Sequence, residues 1–294
     1  MARSESDYLR LIQRVKHLEL ASRKLVDGLF SGNYRSVFRG PGIEFDEVRE
    51  YAEGDDARLI DWNVSSRMQS AYTKTFREER ELLLFLLVDV SGSVRPFEAM
   101  SSRFETAAQL TALLSFAAIG NNDRVGALFF SDRIEHWTSP LKGRKHGLRI
   151  IQDMLSVEPE GRGSDLALAL RTAGEALPRR GICVIISDFK TSNYYRELRT
   201  LARRHDTLAI RVVDPIDIEF PESGLIQLED PESGREILAH GSPGYRRDYH
   251  SYWQMHRRQW LRECGRRGVS TLEIRTDEDA ATHLIRYFKR RRKR

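Results

Sequence analysis

The 294-residue chain has only two cysteines, Cys183 and Cys264. Two thiols make neither a disulfide framework nor a thiolate metal site. Cys183, inside the apolar run 182–186, reads as a small buried residue. No apolar run approaches the ~18 residues of a membrane span. The opening stretch, MARSESDYLR, lacks the apolar core of a signal peptide. A cytoplasmic protein without a transmembrane segment is expected. No Gly-x-x-x-x-Gly-Lys stretch occurs, which excludes a P-loop. The eight histidines show no zinc-type spacing, and no Gly-x-Ser-x-Gly elbow is present. His136, His146, His205, His240, His250 and His256 lie among charged residues and are expected at the surface. Internal repeats and low-complexity linkers are also lacking. A strong charge excess is missing once the end of the chain is set aside. Without the six basic residues 289–294, the formal charge falls from +5 to −1. A near-neutral body speaks against specific nucleic-acid binding. The basic tail itself is expected to be disordered, since adjacent like charges repel. It offers at most a weak contact with acidic surfaces.

What is present centres on residues 82–93, LLLFLLVDVSGS. Seven apolar residues without polar alternation suit a strand buried on both faces of a parallel sheet. Ligand sites of such sheets lie beyond the carboxyl ends of their strands. Asp89-Val90-Ser91-Gly92-Ser93 falls there, and Gly92 lets the loop curl. One carboxylate and two hydroxyls offer hard oxygen, which suits Mg²⁺. Ser and Asp are equally at home as helix N-caps, so the pentapeptide alone leaves both readings open.

Around this strand the chain organises into four parts. Residues 1–32 contain an amphipathic helix over 5–31, with Tyr8, Leu11, Ile12, Val15, Leu18, Leu25 and Leu29 on one stripe. The stripe is expected to pack on its own domain, a partner or membrane surface being the alternative. Residues 33–80 hold two strands and little apolar material, a small β subdomain. Within it Asp55, Asp56 and Asp61 with Arg49 and Arg58 suggest an ion-pair cluster over a packed Trp62. Such a cluster would pin the subdomain to the core or, alternatively, present a contact surface. Residues 81–288 alternate strands and helices, which predicts an α/β, doubly wound, mostly parallel sheet. Asp230-Pro231-Glu232-Ser233-Gly234 reads as the turn of a hairpin. Residues 289–294 are the tail.

Three loops in that frame carry oxygen ligands. They hold Asp89, Ser91 and Ser93; Ser164 with Asp165; and Asp188 after the strand 182–186. The set resembles the metal-ion-dependent adhesion site of von Willebrand factor A domains, with Ser164 where Thr is usual. The resemblance implies that Ser91, Ser93 and Ser164 bind Mg²⁺ (or Mn²⁺) through hydroxyls, and Asp89 and Asp188 mainly through waters. A second resemblance is carried by Gly42-x-Glu44-Phe45-x-Glu47-x-Arg49-x-Tyr51, Gly54-Asp55-Asp56-x-Arg58-x-Ile60-Asp61-Trp62 and Phe76-x-Glu78-x-Arg80, with the 230–234 turn. This pattern is similar to domain-of-unknown-function family 58. It implies a von Willebrand factor A-like fold and partnership with a MoxR-type AAA+ ATPase.

The expected function is therefore a non-enzymatic, metal-dependent protein-binding adaptor that grips a partner carboxylate. The alternative is a metal-dependent phosphate-ester hydrolase. A haloacid-dehalogenase-type enzyme would need a second Asp where Ser91 stands. The binding rim is expected from loops 89–95, 131–144, 161–165 and 188–193. Phe97, Trp137, Phe189, Tyr194 and Tyr195 are its candidate aromatic anchors, each also acceptable as a core residue.

Overall fold

The computed structural model describes residues 44–77, 82–94, 102–222, 224–230, 232 and 234–292. The helix expected over 5–31, residues 33–43 and Phe97 lie outside them. The described residues fall into two compact units, one inside Arg39–Glu81 and one inside Leu82–Arg294.

In the smaller unit, β1 (Glu44–Glu50) pairs antiparallel with β2 (Tyr72–Arg77), with a bulge between Phe45 and Glu47. Between them lie a 3-10 turn (Ala57–Leu59) and helix α1 (Trp62–Met68). The expected ion-pair cluster forms only in part. Arg49 meets Asp55 at 2.7 Å, but Asp61 meets Lys74 at 3.2 Å. Asp56 and Asp61 instead serve as caps, accepting from backbone N–H groups of the turns they start. Trp62 is not packed: it is 73% exposed. A seven-residue helix that buries none of its residues offers no apolar floor for it.

The larger unit is built on a six-stranded sheet: β3 (Leu83–Asp89), β4 (Arg124–Phe130), β5 (Ile134–Leu141), β6 (Ile182–Ser187), β7 (Asp206–Val213) and β10 (Ser270–Arg275). Its spatial order is β10-β7-β6-β3-β4-β5, parallel throughout except for β5 at one edge. Counted within the sheet this is the doubly wound order 3-2-1-4-5-6 read backwards. The fold is therefore the α/β, doubly wound, mostly parallel class that the strand–helix alternation predicts.

The apolar runs explain the layering. Along β3, Leu84, Leu86 and Val88 face one core, and Phe85 and Leu87 the other. The first core is closed by α2 (Ser102–Gly120), α3 (Arg144–Ser156) and α7 (Ala280–Arg292). The second is closed by α4 (Leu166–Ala176), α5 (Tyr195–Arg204) and α6 (Pro243–Arg266). Alanines 107, 108, 112, 117 and 118 let α2 lie close on the sheet. Both cysteines are free and buried. Beside the main sheet, β8 (Leu225–Glu229) and β9 (Glu236–His240) form a separate two-stranded hairpin around the expected turn.

The fifth strand runs eight residues, with Pro140 at a sheet edge where its missing donor costs nothing. Helix α6 begins at Pro243, and Ser242 caps it through the Tyr245 N–H. One expectation for the histidines needs correction. His205 is buried, and Gly181 N–H donates to its Nδ1 at 3.3 Å.

The tail also departs from expectation, since α7 continues through Arg292. Helical spacing spreads the like charges around the axis. One nitrogen of Arg291 reaches both oxygens of Asp206, at 2.7 and 2.5 Å. Arg291→Ala is expected to cost about 1 kcal/mol, a fall in melting temperature of about 2–4 °C. A thermal-unfolding cycle with Asp206→Ala should show that the two losses are not additive. Unchanged melting in Arg291→Ala would mean that this end of the helix carries no stability.

Candidate metal centre

In a doubly wound sheet the connections leaving the first and fourth strands go to opposite sides, which opens a crevice between their carboxyl ends. Those strands are β3 and β6, and they end in Asp89 and in Ser187-Asp188. Asp89 is completely buried. Its Oδ1 accepts from the Ser91 backbone N–H at 3.0 Å and from the Ser91 hydroxyl at 2.5 Å. Its Oδ2 accepts from the hydroxyls of Ser164 at 3.0 Å and Ser187 at 2.7 Å. The Ser91 and Ser93 hydroxyls lie 3.2 Å apart. All three oxygen-bearing loops thus converge, and four of the five expected residues share one hydrogen-bond network.

Backbone contacts fix the loops. Gly92 N–H donates to the Arg162 carbonyl at 2.8 Å, and the Thr191 hydroxyl to the Ser164 carbonyl at 2.8 Å. Glu135 holds the second loop from behind: it accepts from the Ser131 hydroxyl and from the N–H groups of Glu160 at 3.1 Å and Gly161 at 2.9 Å. A Cβ on Gly161 would meet the Ser131 hydroxyl and the Asp132 carboxylate, both of which would have to shift. In the third loop, Phe189 adopts a left-handed backbone, φ 55°. Ser187 Oγ accepts its N–H at 3.0 Å, and Asp188 Oδ1 accepts that of Lys190 at 3.1 Å.

Asp188 is the fifth residue. It is 2% exposed, and its Oδ2 has no hydrogen-bond partner among the described residues. Burial and the charge of Asp188 push the Asp89 carboxyl up to about 6, against the pull of the hydroxyls of Ser91 and Ser187. Two cations stand nearby, Arg103 and Lys190. Both bond Asp217 Oδ1, each at 2.7 Å, and Arg103 also donates to the Ser93 carbonyl at 2.9 Å. Glu232, in the hairpin turn, lies close enough to feel the charges of Asp188 and Asp89. Burial and Asp188 hold its carboxyl above the usual range.

This donor set fits a hard divalent cation. Every group is an oxygen. Ser91 and Ser164 spend their protons on Asp89 and keep lone pairs for a ligand. A buried acceptor without a donor costs about 1–3 kcal/mol until something fills it. Among the described residues no three His, Cys, Asp or Glu side chains are arranged as a metal-ligand group; the meeting point here is two aspartates with hydroxyls.

Residues 47–259 match the family model described as "Protein of unknown function DUF58". The chain belongs to that family. It is similar to uncharacterized protein Rv1480 of Mycobacterium tuberculosis, at 33% identity over all of this chain and 93% of that protein. Uncharacterized protein Mb1516 of Mycobacterium bovis is similar to the same extent. Among solved structures, a conserved hypothetical protein BatB from Bacteroides thetaiotaomicron overlays with a TM-score of 0.45 at 16% identity, covering 72% of this chain and 100% of that one. An aerotolerance-related membrane protein from Bacteroides fragilis gives 0.45 at 15%, over 72% and 98%. At that TM-score neither overlay carries any argument about this chain. No helix among the described residues is long and apolar enough to cross a membrane.

The DUF58 chain holds site residues that its sequence did not point out. Ser187, Glu135 and Thr191 act on the loops, and only the fold shows it. Glu232 was legible as a hairpin turn and nothing more. Of the candidate anchors, Phe189 and Tyr194 are core residues, 9% and 1% exposed. Trp137 is half-buried, 4.8 Å from Phe85 between ring centres, and Tyr195 is half-buried beneath Arg267. The second core needs these rings as filling.

The facing aspartates give a test with opposite signs. In EDTA, Asp188→Asn removes one of two buried like charges and should raise the melting temperature by about 2–4 °C, roughly 1 kcal/mol. Addition of millimolar Mg²⁺ should stabilise the wild type and not the variant. Destabilisation of the variant in EDTA would mean that Asp188 is paired in the ion-free protein.

Proposed function

We propose that this DUF58 protein is a non-enzymatic, metal-dependent adaptor that grips a partner carboxylate. Asp89, Ser91, Ser93, Ser164 and Asp188 would hold one Mg²⁺ or Mn²⁺. When bound, the ion supplies a positive centre at which an incoming carboxylate replaces water. The observation that supports this reading is the buried Oδ2 of Asp188, without a hydrogen-bond partner among the described residues, beside the hydrogen-bonded Asp89.

The surroundings suit an acidic partner. A cavity of about 580 Å³ beside the third loop is lined by Lys190, Arg196, Arg211 and His256 together with Tyr252 and Trp253. A specific complex usually buries ~1,200–2,000 Å² in total, so loops and cavity would be used together. The partner proposed is a MoxR-type AAA+ ATPase, or a client presented to it. That choice rests on the family resemblance, while the chemistry supplies only the carboxylate grip.

Hydrolysis of phosphate esters is the weaker reading. The groups that touch Asp89 are Ser91, Ser164 and Ser187, none of which is a general base near neutral pH. Turnover of a generic phosphate ester with Mg²⁺ would favour it.

Calorimetry should show one divalent-ion site in the wild type and none in Ser91→Ala with Ser93→Ala. Co-purification with the ATPase should be lost in EDTA and in that double variant. Binding indifferent to both would move the interface away from the metal centre. Failure of the wild type to bind Mg²⁺ at millimolar concentration would end the proposal.

A further inference from the structure

The cavity of about 580 Å³ beside the third loop has a lining of one charge sign. Its size is that of small-molecule pockets, ~300–1,000 Å³. Lys190, Arg196, Arg211 and His256 contribute to it, and among the described residues no acidic side chain does. A second cavity, of about 280 Å³, shares Arg211 and Trp253 with it. There Asp217, Glu273 and Glu278 balance Arg211, Arg257 and Arg275. The excess of positive charge therefore belongs to the larger cavity.

Arg211 is the group that calls for a ligand. It stands in β7 between Ser187 of β6 and Glu273 of β10, and it is 7% exposed. Its Nε has no hydrogen-bond partner among the described residues. Its contact with Glu273 spans 3.6 Å, and the other oxygen of that glutamate is taken by Arg257 at 2.7 Å. The guanidinium lies 5.8 Å from the centre of the Trp260 ring, which attracts the charge and offers the N–H groups no acceptor. A buried cation matched so weakly is a costly state until an anion meets it. The indole nitrogens of Trp253 and Trp260, two further lining residues, have no partner among the described residues either. All three unmet atoms are donors.

The other walls agree. Helix α5 begins at the cavity, with Tyr195 and Arg196 in its first turn, and Tyr194 caps it without a side-chain hydrogen bond. The positive end of a helix dipole is thereby added to the same wall. Lys190 is matched by Asp217 at 2.7 Å. That leaves two guanidinium groups, those of Arg196 and Arg211, for a ligand. A phosphate carries about −1.5 to −2 near pH 7, which suits two such groups better than one carboxylate does. Tyr252, 50% exposed, gives the cavity a ring on which a planar base can rest.

We infer that this cavity is a binding site for a phosphate-bearing small molecule, held by Arg211 and Arg196. The inference does not rest on the metal reading. When occupied, the cavity no longer offers its cations to an acidic partner, so the ligand and the partner contact proposed above compete.

The test uses the full chain in metal-free buffer, with inorganic phosphate, ADP and adenosine as probes and calorimetry as the readout. Phosphate and ADP should bind at millimolar concentration or below, and adenosine should not. Tighter binding of ADP would identify a nucleotide as the source of the phosphate, and equal affinity would identify the free ion. Arg211→Gln should weaken binding about tenfold, and Arg196→Gln about threefold. Unchanged near-ultraviolet circular dichroism would show that each variant is folded. Should Arg211→Gln fail that control, the exposed Arg196 decides the matter through Arg196→Gln combined with Lys190→Gln. No binding to the wild type at millimolar concentration, or equal binding in wild type and variants, would overturn the inference. Binding that appears only when Mg²⁺ is added would assign the phosphate to the metal centre and overturn it as well.

Discussion

The structure depends most on how one buried carboxylate is kept. Asp89 lies at the end of the central strand, out of water, where an unsatisfied charge would cost several kcal/mol. It is held by four donors from three loops: Ser91 twice, Ser164 and Ser187. Each of those loops follows or opens a different element, so the Asp89 network joins β3, β6 and the start of α4 at a single point. The sheet in turn makes the point available. Only where the winding direction reverses do two neighbouring strands release their chains to opposite sides.

Supporting interactions behind the network are of a different kind. They involve tight backbone and fixed turns: the glycine at 161 under Asp132, the left-handed Phe189, and Glu135 taking two loop N–H groups. A non-glycine residue with positive φ costs of order 1 kcal/mol and persists only when its surroundings hold it. Phe189 is held by its ring, packed 5.2 Å from Trp260 and 6.0 Å from Tyr194. The aromatic filling of the second core thereby sets the direction of the Asp188 loop. Core packing and site geometry are one problem at this residue.

That coupling separates what could be read from the sequence and what could not. The strand 83–89 and the oxygen-bearing side chains at its carboxyl end were legible because a double-faced apolar run has few other uses. The three-loop order was legible because alternation of strands and helices fixes which loops share a sheet edge. Residues that act through geometry were not. Ser187 is one of many serines until β6 is laid beside β3. Glu135 lies on an edge strand with no motif around it. Phe189 and Tyr194 look like surface anchors when only loop membership is known, and their burial depends on α6. The tail misled for the opposite reason: six like charges predict repulsion, but the partner Asp206, 85 positions away from Arg291, is invisible in a linear reading.

The arrangement of charge around Asp188 bears on what the centre is for. Two cations, Arg103 and Lys190, are close enough to neutralise a carboxylate in this crevice. Arg103 does feel Asp188. Both are nevertheless bonded to Asp217 Oδ1, each at 2.7 Å. Asp217 sits on the 3-10 turn Pro215–Asp217, whose capping box with Asp214 fixes its second oxygen. Burial alone would raise its carboxyl, but Lys190 and Arg103 overcome that and hold it below the usual range. A fold that needed only stability would let one of these cations turn to Asp188, because an uncompensated buried carboxylate is the costlier state. Instead a separate, rigidly capped aspartate absorbs both. The effect is to keep one oxygen of Asp188 unclaimed among the described residues, next to Asp89, and that oxygen is what the proposed role for a divalent cation builds on.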